Sequence, residues 1–363
     1  MRKYKYIHFL WQGGAHFNKI IVELINDEDN AFNIEEHLFV TPYKHIYDEI
    51  CSFSNVVLEQ NVKPQSSKLI NKYAEFGDWL FLHGMCSTTE ALKIKFKNRR
   101  KIIWRTWGHD IGGYPYKKGD VLKNIVKYLL NLLWKIEVNS FKLLGVANAV
   151  DKISLQNRFG KVKIFPINYP TKGNLTMLKS VKEKMTTDRK TVNVLIGHSG
   201  IDTDNHFKII DKLKKYCNDD VCFIFVLSYG DEKYIEKVKG YIKDNCKDKY
   251  RVLLNPLPLE DYAKMLADVD VAILDGKNSY ALSNVAMLLF FEKKIFLNRD
   301  GILAQAFRTE NLPFCCTDEI DNMGINEFSA KVDYSNITET SLVPTEYNKA
   351  VKRWKNLLIS LDK

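Results

Sequence analysis

Short runs of β-branched and aromatic residues recur along this 363-residue chain, and stretches with helical spacing separate them. This alternation is typical of βαβ units, in which parallel strands are covered by helices on both faces of the sheet. The pattern occurs twice, so it predicts two doubly wound α/β domains. The predicted strands are 4–11, 37–41, 55–58, 79–83, 102–106, 145–149 and 161–165 in the first series, and 192–197, 221–227, 251–255, 269–275 and 294–298 in the second.

A segment with two prolines, a glycine and several lysines separates the two series of strands. We therefore predict a first domain of residues 1–170, a linker of residues 171–190 and a second domain of residues 191–345. A final helix is predicted within 346–363. In proteins built of two facing Rossmann-like lobes, such a C-terminal segment often returns to the first lobe.

The cysteines and the charge bear on the compartment and the partner. The seven cysteines stand at irregular positions without a CxxC pair, which indicates reduced thiols in a cytosolic protein. The N-terminal apolar run is too short for an export signal, and no stretch reaches the roughly 20 apolar residues that cross a bilayer. Residues 1–170 hold 25 Lys/Arg against 16 Asp/Glu. This half should attract a polyanion, which leaves nucleic acid, an anionic membrane or a phosphorylated substrate open.

The turn after the first strand of the second domain is a candidate anion site. Gly197, Ser199 and Gly200 lie between that strand and a helix that starts near Asn205. Small residues let the backbone approach an anion, and the free N–H groups of a helix N-terminus favour negative charge. A diphosphate could bind here, although the same residues also suit a tight turn followed by a helix cap.

Other strand ends of the second domain carry polar or aromatic side chains. Ser283 and Asn284 open a helix and could cap it or donate to a phosphate or a base. Asn298 and Arg299 follow another strand, where Arg299 suits either an anion or a surface ion pair. Tyr229 suits either stacking on a base or packing. An Asp-x-Asp pair at 268–270 straddles a helix end and a strand, so we expect no metal and no cofactor.

In the first domain, proton acceptors stand near predicted strand ends: His8, His16, His83, His109 and Asp110. Because the carboxyl ends of parallel strands meet at one edge of a sheet, His83 and Asp110 should point into the same crevice. A neutral histidine or an ionised carboxylate there could take a proton from a sugar hydroxyl. Each histidine alone also suits a bonded core position.

The segment 117–142 carries lysines among leucine, isoleucine and tryptophan at helical spacing. Such a basic amphipathic helix can lie on anionic lipid, or it can pack on the sheet with its lysines in water. A second basic run, 93–101, adds to this surface but lacks the aromatic stacking pattern of a nucleic-acid site. We therefore expect an anionic membrane surface as a partner and no nucleic acid.

Eight segments, in order along the whole chain, carry a resemblance to a known family. They are YIHFLWQGGAHFNKIIVELIND (6–27), FLHGMCSTTEALKI (81–94), WRTWGHDI (104–111), IFPINYP (164–170), VLIGHSGIDTDNH (194–206), SYGDEKYIEKV (228–238), LEDYAKML (259–266) and FLNRDG (296–301). With these segments the chain resembles glycosyltransferase family 56. Its members are the bacterial transferases that move N-acetylfucosamine from its dTDP-sugar to lipid-II of enterobacterial common antigen.

The resemblance implies a GT-B fold, with two Rossmann-like doubly wound domains facing a cleft, the acceptor in the first, the nucleotide sugar in the second, and no required metal. The residues that match the family's motifs are His8, His16, Asn18, His83, Trp107, Gly108 and Asp110, and in the second domain Gly197, Ser199, Gly200, Asn205, His206, Tyr229, Asn298 and Arg299. Three places depart from the family's pattern, namely His109, His198 and the turn ALSN at 281–284.

We therefore expect a cytoplasmic enzyme, peripheral on the cytoplasmic face of the inner membrane, that transfers a deoxyamino sugar from dTDP to an undecaprenyl-diphosphate-linked oligosaccharide. Asp110 is the expected base, with His83 or His16 as rivals. His8, Asn18, Trp107 and His109 are expected to bind the acceptor, and the second-domain residues, with Ser283 and Asn284, the donor. The alternatives are a GT-B nucleotide-sugar epimerase, a non-catalytic nucleotide-binding subunit of a polysaccharide assembly complex, and a nucleic-acid-binding protein.

Overall fold

A computed structural model describes most of the chain and divides it into two compact units. Unit 1 is Met1–Thr171 together with Thr345–Lys363, and unit 2 is Lys172–Pro344. The described residues are 3–11, 15–60, 62–63, 65–85, 88–112, 114, 119–169, 173–185, 190–278, 281–335 and 340–362.

Unit 1 contains a parallel sheet of seven strands. These are β1 (Tyr4–Leu10), β2 (His37–Thr41), β3 (Val56–Leu58), β4 (Gly77–His83), β5 (Ile102–Arg105), β6 (Leu143–Val146) and β7 (Ile164–Pro166). Their order is β3-β2-β1-β4-β5-β6-β7. The helices between them are α1 (Ala15–Asn26), α2 (Lys44–Ile50), α3 (Ser67–Tyr73), α4 (Thr88–Ala91), α5 (Phe96–Arg99), α6 (Val121–Asn139) and α7 (Ala149–Phe159).

Unit 2 contains a second parallel sheet, of six strands. These are β8 (Val192–Ile196), β9 (Val221–Val226), β10 (Tyr250–Leu253), β11 (Val271–Leu274), β12 (Lys294–Leu297) and β13 (Cys315–Cys316). Their order is β10-β9-β8-β11-β12-β13. The helices are α8 (Asn174–Glu183), α9 (His206–Leu213), α10 (Glu232–Asn245), α11 (Leu259–Ala267), α12 (Leu282–Phe290), α13 (Ile302–Thr309) and α14 (Ile325–Ser329), and α15 (Tyr347–Leu361) follows in the C-terminal part of unit 1.

Side chains alternate between the two faces of the unit 1 sheet, as the period of two along a strand requires. Ile7 and Phe9 of β1 lie in the core on one face, and Tyr6 and Leu10 lie in the core on the other. Both faces of the sheet are therefore buried against apolar side chains. This explains why the strands are apolar along their whole length rather than at every second residue.

The helix α15 completes the second of these cores. Its buried Trp354 packs in one cluster with Phe81 of β4 and with residues of β1 and α1. The indole Nε1 of Trp354 donates to the carbonyl of Asn168 at 2.8 Å, and Arg353 donates to the Asn168 side chain at 2.6 Å. The C-terminal segment is thus an integral part of unit 1.

The structure corrects the predicted linker of residues 171–190. Within it α8 forms, and its Leu178 and Val181 are buried. The apolar residues recur with helical spacing, but the lysines between them suggested a connector. The twelve predicted strands all occur with shifts of a few residues, and β13 had no counterpart among them. No helix in the described part of the chain is both long and apolar enough to span a bilayer.

Replacing Trp354 with alanine should destabilise the fold by about 3–5 kcal/mol, because it leaves a large cavity where α15 meets the sheet. The matched control is Ile359→Ala on the same helix, whose side chain is exposed and whose loss should cost no more than about 0.5 kcal/mol. Urea unfolding followed by tryptophan fluorescence measures both variants. Equal stability of the two variants would contradict the packing described here.

Candidate active site

The strand order of unit 1 reverses direction between β1 and β4, because the chain adds β2 and β3 on one side and β4 to β7 on the other. Open α/β sheets bind their ligands at the carboxyl ends of the strands beside such a switch point. His83 ends β4 and Arg105 ends β5, and the two residues are partners in the register of these strands. They mark the candidate site of unit 1.

Three buried histidines form a continuous hydrogen-bonded chain beneath this edge. His83 Nδ1 bonds to the hydroxyl of Tyr169, and His83 Nε2 lies 3.0 Å from His8 Nδ1. His8 Nε2 in turn lies 2.9 Å from His37 Nδ1. Burial lowers the pKa of His83 and of His37 to about 3, and that of His8 well below its ordinary value. All three rings are neutral at pH 7.

This chain corrects two predicted roles. Both ring nitrogens of His83 and of His8 are engaged inside the protein, and both side chains are fully buried. Neither ring has a nitrogen left to meet a substrate hydroxyl, and the chain ends on the hydroxyl of Tyr169. His37, the third member, begins β2 and was not singled out by the sequence. The side chains of the other predicted histidines of this unit, at 16 and 109, lie outside the described residues, and Asn18 is buried in α1.

Asp110 fastens the turn that follows β5. Its Oδ1 accepts the backbone N–H of Trp107 at 2.7 Å, and its Oδ2 accepts the indole N–H of Trp104 at 3.0 Å. Gly108 within this turn has φ of 80°, a conformation that favours glycine. The ring of Trp107 stacks on Tyr169, with centroids 4.8 Å apart and planes 5° from parallel. Asp110 and the histidine chain therefore hold an aromatic pair from two sides.

Arg105 and Asp151 belong to the same edge and were missed from the sequence. Arg105 lies over the rings of Tyr169 and Trp107, at 4.7 and 5.3 Å from their centroids. Burial raises the pKa of Asp151 to about 6, Arg105 acts in the opposite direction, and Asp110 adds to the rise. An arginine at the end of a buried strand was the available sequence signal for Arg105.

In unit 2, the turn after β8 uses its amides within the protein. The N–H groups of His198 and Ser199 both donate to Asp204 Oδ2 at 3.0 Å. The amide of Gly197 donates to the carbonyl of Ile273 in β11, and that of Gly200 donates to the carbonyl of Tyr229 in the loop after β9. His198 Nδ1 also lies 3.0 Å from Asp204 Oδ2. Burial acts to raise the pKa of Asp204, but the hydrogen bonds and the charge of His198 hold that pKa below its ordinary value.

The predicted diphosphate site at this turn is therefore occupied by the protein's own carboxylate. The turn is the kind of amide nest that binds anions, as the small residues indicated. Its anion is Asp204, four residues after Gly200. The expectation that these amides face a ligand is wrong for this structure.

Asp275, directly after β11, gathers several of the other predicted donor residues. Its buried carboxylate accepts from Asn205 at 3.0 Å, from Lys208 at 2.7 Å, and from Thr317 and Asn298. The amides of Asn205 and Asn298 thus point to Asp275 rather than outward.

Two more predicted donor residues have partners inside unit 2. Arg299 forms an exposed ion pair with Asp318 and Glu319, which is the second of its two expected roles. His206 is buried with its Nδ1 3.2 Å from the hydroxyl of Tyr234, and burial lowers its pKa to about 4.

Open groups remain at the same edge of unit 2. The side chain of Tyr229 is 57% exposed after β9, and Ser283 is exposed in the first turn of α12. This helix starts after Ala281 without a side-chain cap. Asn284 donates to the hydroxyl of Tyr262 at 2.9 Å. Among the predicted donor residues, Tyr229 and Ser283 are therefore the ones that the fold leaves best placed to meet a ligand.

Side chains that could serve as metal ligands occur among the described residues. One group there, Cys316, Asp318 and Glu319, is compact enough to hold a metal. Arg299 already binds both of its carboxylates, so a cation has been supplied by the protein. In the Asp-x-Asp pair, Asp270 accepts the backbone N–H of Asn193 at 2.8 Å and serves the start of β8.

The fold is similar to that of several solved structures, among them a UDP complex and a glycosyltransferase. Anabaena Alr3699/HepE in complex with UDP has a TM-score of 0.61 and 12% identity, and the match covers 99% of this chain and 100% of that chain. A glycosyltransferase from Rickettsia africae ESF-5 has a TM-score of 0.58 and 14% identity, with 100% of both chains covered. A protein from Listeria monocytogenes that is described as a UDP-N-acetylglucosamine 2-epimerase has a TM-score of 0.50 and 12% identity. The match covers 99% of this chain and 96% of that chain.

Two parallel-sheet α/β units with these neighbours define a GT-B fold. The family model described as 4-alpha-L-fucosyltransferase glycosyl transferase group 56 matches residues 4–362. The chain belongs to glycosyltransferase family 56, and it is a sugar-transferring enzyme of the fucosyltransferase type.

The buried histidines predict an acid-dependent loss of stability. Below pH 6.5 the unfolded chain binds protons on His37 and His83, whereas the folded protein does not until about pH 3, so unfolding becomes easier as the pH falls. Glu137 and Asp151, whose pKa values burial raises to about 7 and about 6, act in the opposite sense. A comparison of variants is therefore diagnostic.

His37→Gln removes one titrating group, so the fall in unfolding free energy between pH 6.5 and 5 should be smaller by about 1.1 kcal/mol per pH unit than in the parent. Urea unfolding at several pH values measures the two slopes. Parallel slopes for parent and variant would show that His37 is protonated in the folded protein.

Proposed function

We propose that this protein transfers a deoxyamino sugar, N-acetylfucosamine, from its dTDP-sugar to a hydroxyl of an undecaprenyl-diphosphate-linked oligosaccharide in bacterial surface polysaccharide synthesis. The observation that carries the proposal is the family match over residues 4–362. The similar segments along the chain support the donor and the acceptor, because they resemble segments of the transferases of enterobacterial common antigen. The UDP in the related Anabaena structure supports a nucleotide sugar as the donor class.

The acceptor binds at the carboxyl edge of the unit 1 sheet in this proposal. Trp107 is only partly buried and belongs to the aromatic residues that commonly contact sugar rings, and Asp110 lies in the same turn. Each carboxylate oxygen of Asp110 accepts one hydrogen bond within the protein and keeps a second lone pair, so Asp110 can still take a proton. The acceptor oxygen attacks the anomeric carbon, its proton passes to Asp110, and the bond from the anomeric carbon to the diphosphate breaks with its electron pair leaving on dTDP. His83 has a supporting part in this scheme, and His16 remains a rival base.

The donor binds at the carboxyl edge of the unit 2 sheet, beside the point between β8 and β11 where the strand order reverses. The uncapped first turn of α12 supplies N–H donors and a favourable dipole for the diphosphate. Ser283 adds a hydroxyl, and the exposed Tyr229 suits stacking on the base. Such preorganised donors stabilise the charge of the departing dTDP without requiring a metal ion.

The transfer itself is tested with a panel of dTDP, UDP and GDP sugars, with and without a lipid-diphosphate acceptor. We expect dTDP to raise the melting temperature selectively, and Asp110→Asn to lower kcat by about 10²–10⁴-fold while stabilisation by dTDP persists. Asp48→Asn, an exposed ion-pair residue of α2, is the control. Turnover of a nucleotide sugar without any acceptor would favour an epimerase, and full activity of Asp110→Asn would exclude Asp110 as the base.

The exposed residues of helix α6 support the proposal that the enzyme acts at a membrane surface. Large apolar side chains are exposed along it, and the residues buried in it are confined to its last two turns. The exposed residues are Val121, Leu122, Ile125, Val126, Tyr128, Leu129, Leu132, Leu133 and Ile136. Monomeric soluble proteins rarely expose a contiguous apolar surface of this kind.

The charge around α6 matches an anionic bilayer. Lys123, Lys127 and Lys135 lie on the helix itself. The basic helix α5 is joined to its C-terminal end by Arg99, which lies 3.4 Å from the carboxylate of Glu137. Apolar residues that enter the interface and lysines that meet anionic headgroups are the features of an interfacial helix. We assign α6 to the membrane contact that brings the enzyme to its lipid-linked acceptor.

Leu122→Ser with Leu129→Ser should abolish most binding to vesicles that contain phosphatidylglycerol, because the two exposed side chains enter the interface. The control is Leu259→Ser, a leucine of unit 2 that is about as exposed as Leu129. Cosedimentation with anionic and with neutral vesicles measures the effect, and sedimentation velocity measures the oligomeric state. A second copy of the chain, rather than lipid, would cover α6 if the double variant changed a dimer into a monomer and bound vesicles normally.

A further inference from the structure

Arg105 is a buried cation whose donors are not all used. Its side chain is 3% exposed, and its Nε and Nη1 have no hydrogen-bond partner among the residues that the structure describes. Leaving such donors unbonded costs more for a charged group than for a neutral one. Native proteins therefore keep buried, unbonded guanidinium donors for a reason, and a bound anion is the partner that answers both the charge and the N–H groups.

The aromatic neighbours of Arg105 stabilise its charge without using its hydrogen-bond donors. Tyr169 and Trp107 lie 4.7 and 5.3 Å from the guanidinium carbon, which is the range of a cation–π contact. The faces of these rings attract the cation, whereas the N–H groups of a guanidinium point outward in its own plane. This planar fork is the geometry that binds two oxygens of a carboxylate or a phosphate.

Tyr169 and Trp107, the two aromatic residues that contact Arg105, are themselves held by hydrogen bonds. The hydroxyl of Tyr169 bonds to His83, which continues into the histidine chain, and Trp107 is held by the carboxylate of Asp110. A site whose supporting side chains are themselves bonded loses little conformational entropy when a ligand arrives. Its position at the end of β5 is also where parallel sheets bind ligands.

We propose that Arg105 binds an oxyanion of the acceptor substrate, a phosphate or a carboxylate group, through the in-plane N–H groups of its guanidinium. The inference rests on the proposed function, because it assigns the anion to the acceptor. The competing role is internal: Arg105 would only balance the charge of Asp151, whose ionised form it favours. The two roles differ in what happens when both charges are removed together.

The binding experiment uses the full chain with dTDP at saturation, so that the donor site is filled. Calorimetry with inorganic pyrophosphate and with glucuronate tests the phosphate and carboxylate sources, and glucose is the neutral probe. We expect one of the two anions to bind and glucose not to bind. Absence of heat with both anions in the unaltered protein overturns the proposal, whatever any variant does.

Arg105→Lys keeps the positive charge but loses the planar fork of N–H groups, so the affinity for the anion should fall at least tenfold. Arg105→Met should abolish anion binding. The matched control is Arg100→Met, an exposed arginine that also lies over an aromatic ring, that of Phe96. Melting temperatures establish that each variant is folded. Recovery of binding and acceptor KM in the double variant Arg105→Met/Asp151→Asn would show a charge-balancing role and overturn the proposal.

The transfer assay separates this inference from the proposed function. If Arg105→Lys raises the KM for the acceptor tenfold and leaves kcat and the KM for the donor unchanged, both stand. If sugar transfer proceeds and Arg105→Lys leaves the acceptor KM unchanged, the inference alone fails. If the anions bind through Arg105 but no donor is turned over, the proposed function fails and the anion site remains.

Discussion

Parallel strands bring their carboxyl ends to one edge of a sheet, and polar side chains collect there above a core that excludes water. Leaving a buried polar group unbonded at that edge costs about 1–3 kcal/mol, so most of the groups buried there are bonded inside the protein. Asp275 follows this rule with four donors, and Asp204 follows it with two backbone amides and His198. The edge is therefore a bonded framework in which only a few groups are left to meet a ligand.

The two units apply this constraint differently. In unit 2 the carboxylates have taken up the donors that the sequence suggested for a diphosphate, so the open groups lie at Tyr229 and at the start of α12. In unit 1 the bonded framework consists of neutral histidines under Tyr169, and a cation lies above it. Arg105, a cation over neutral rings, is suited to bind an anionic partner. Asp204, by contrast, already has its hydrogen-bond donors within the protein.

The sequence predicts the fold well because both faces of each sheet are dry, so that runs such as VNVLI and VAIL stand out from their surroundings. The sequence does not predict α8 because its few apolar residues stand among lysines, which suggested a connector. The site is predicted less well. Residue types and strand ends place Asp110 and His83 at the carboxyl edge of the unit 1 sheet. Which side chains bond to each other there depends on the three-dimensional structure. Nothing local joins His37 to His8, and only the register of β1 with β2 brings them together.

The place of α15 in the chain has a consequence for synthesis. Residues 172–344 lie between the first strands of unit 1 and the helix that covers them. A ribosome therefore completes all of unit 2 while Phe81 and its neighbours still lack Trp354. During that interval unit 2 can fold, and the uncovered sheet is a natural client for a chaperone.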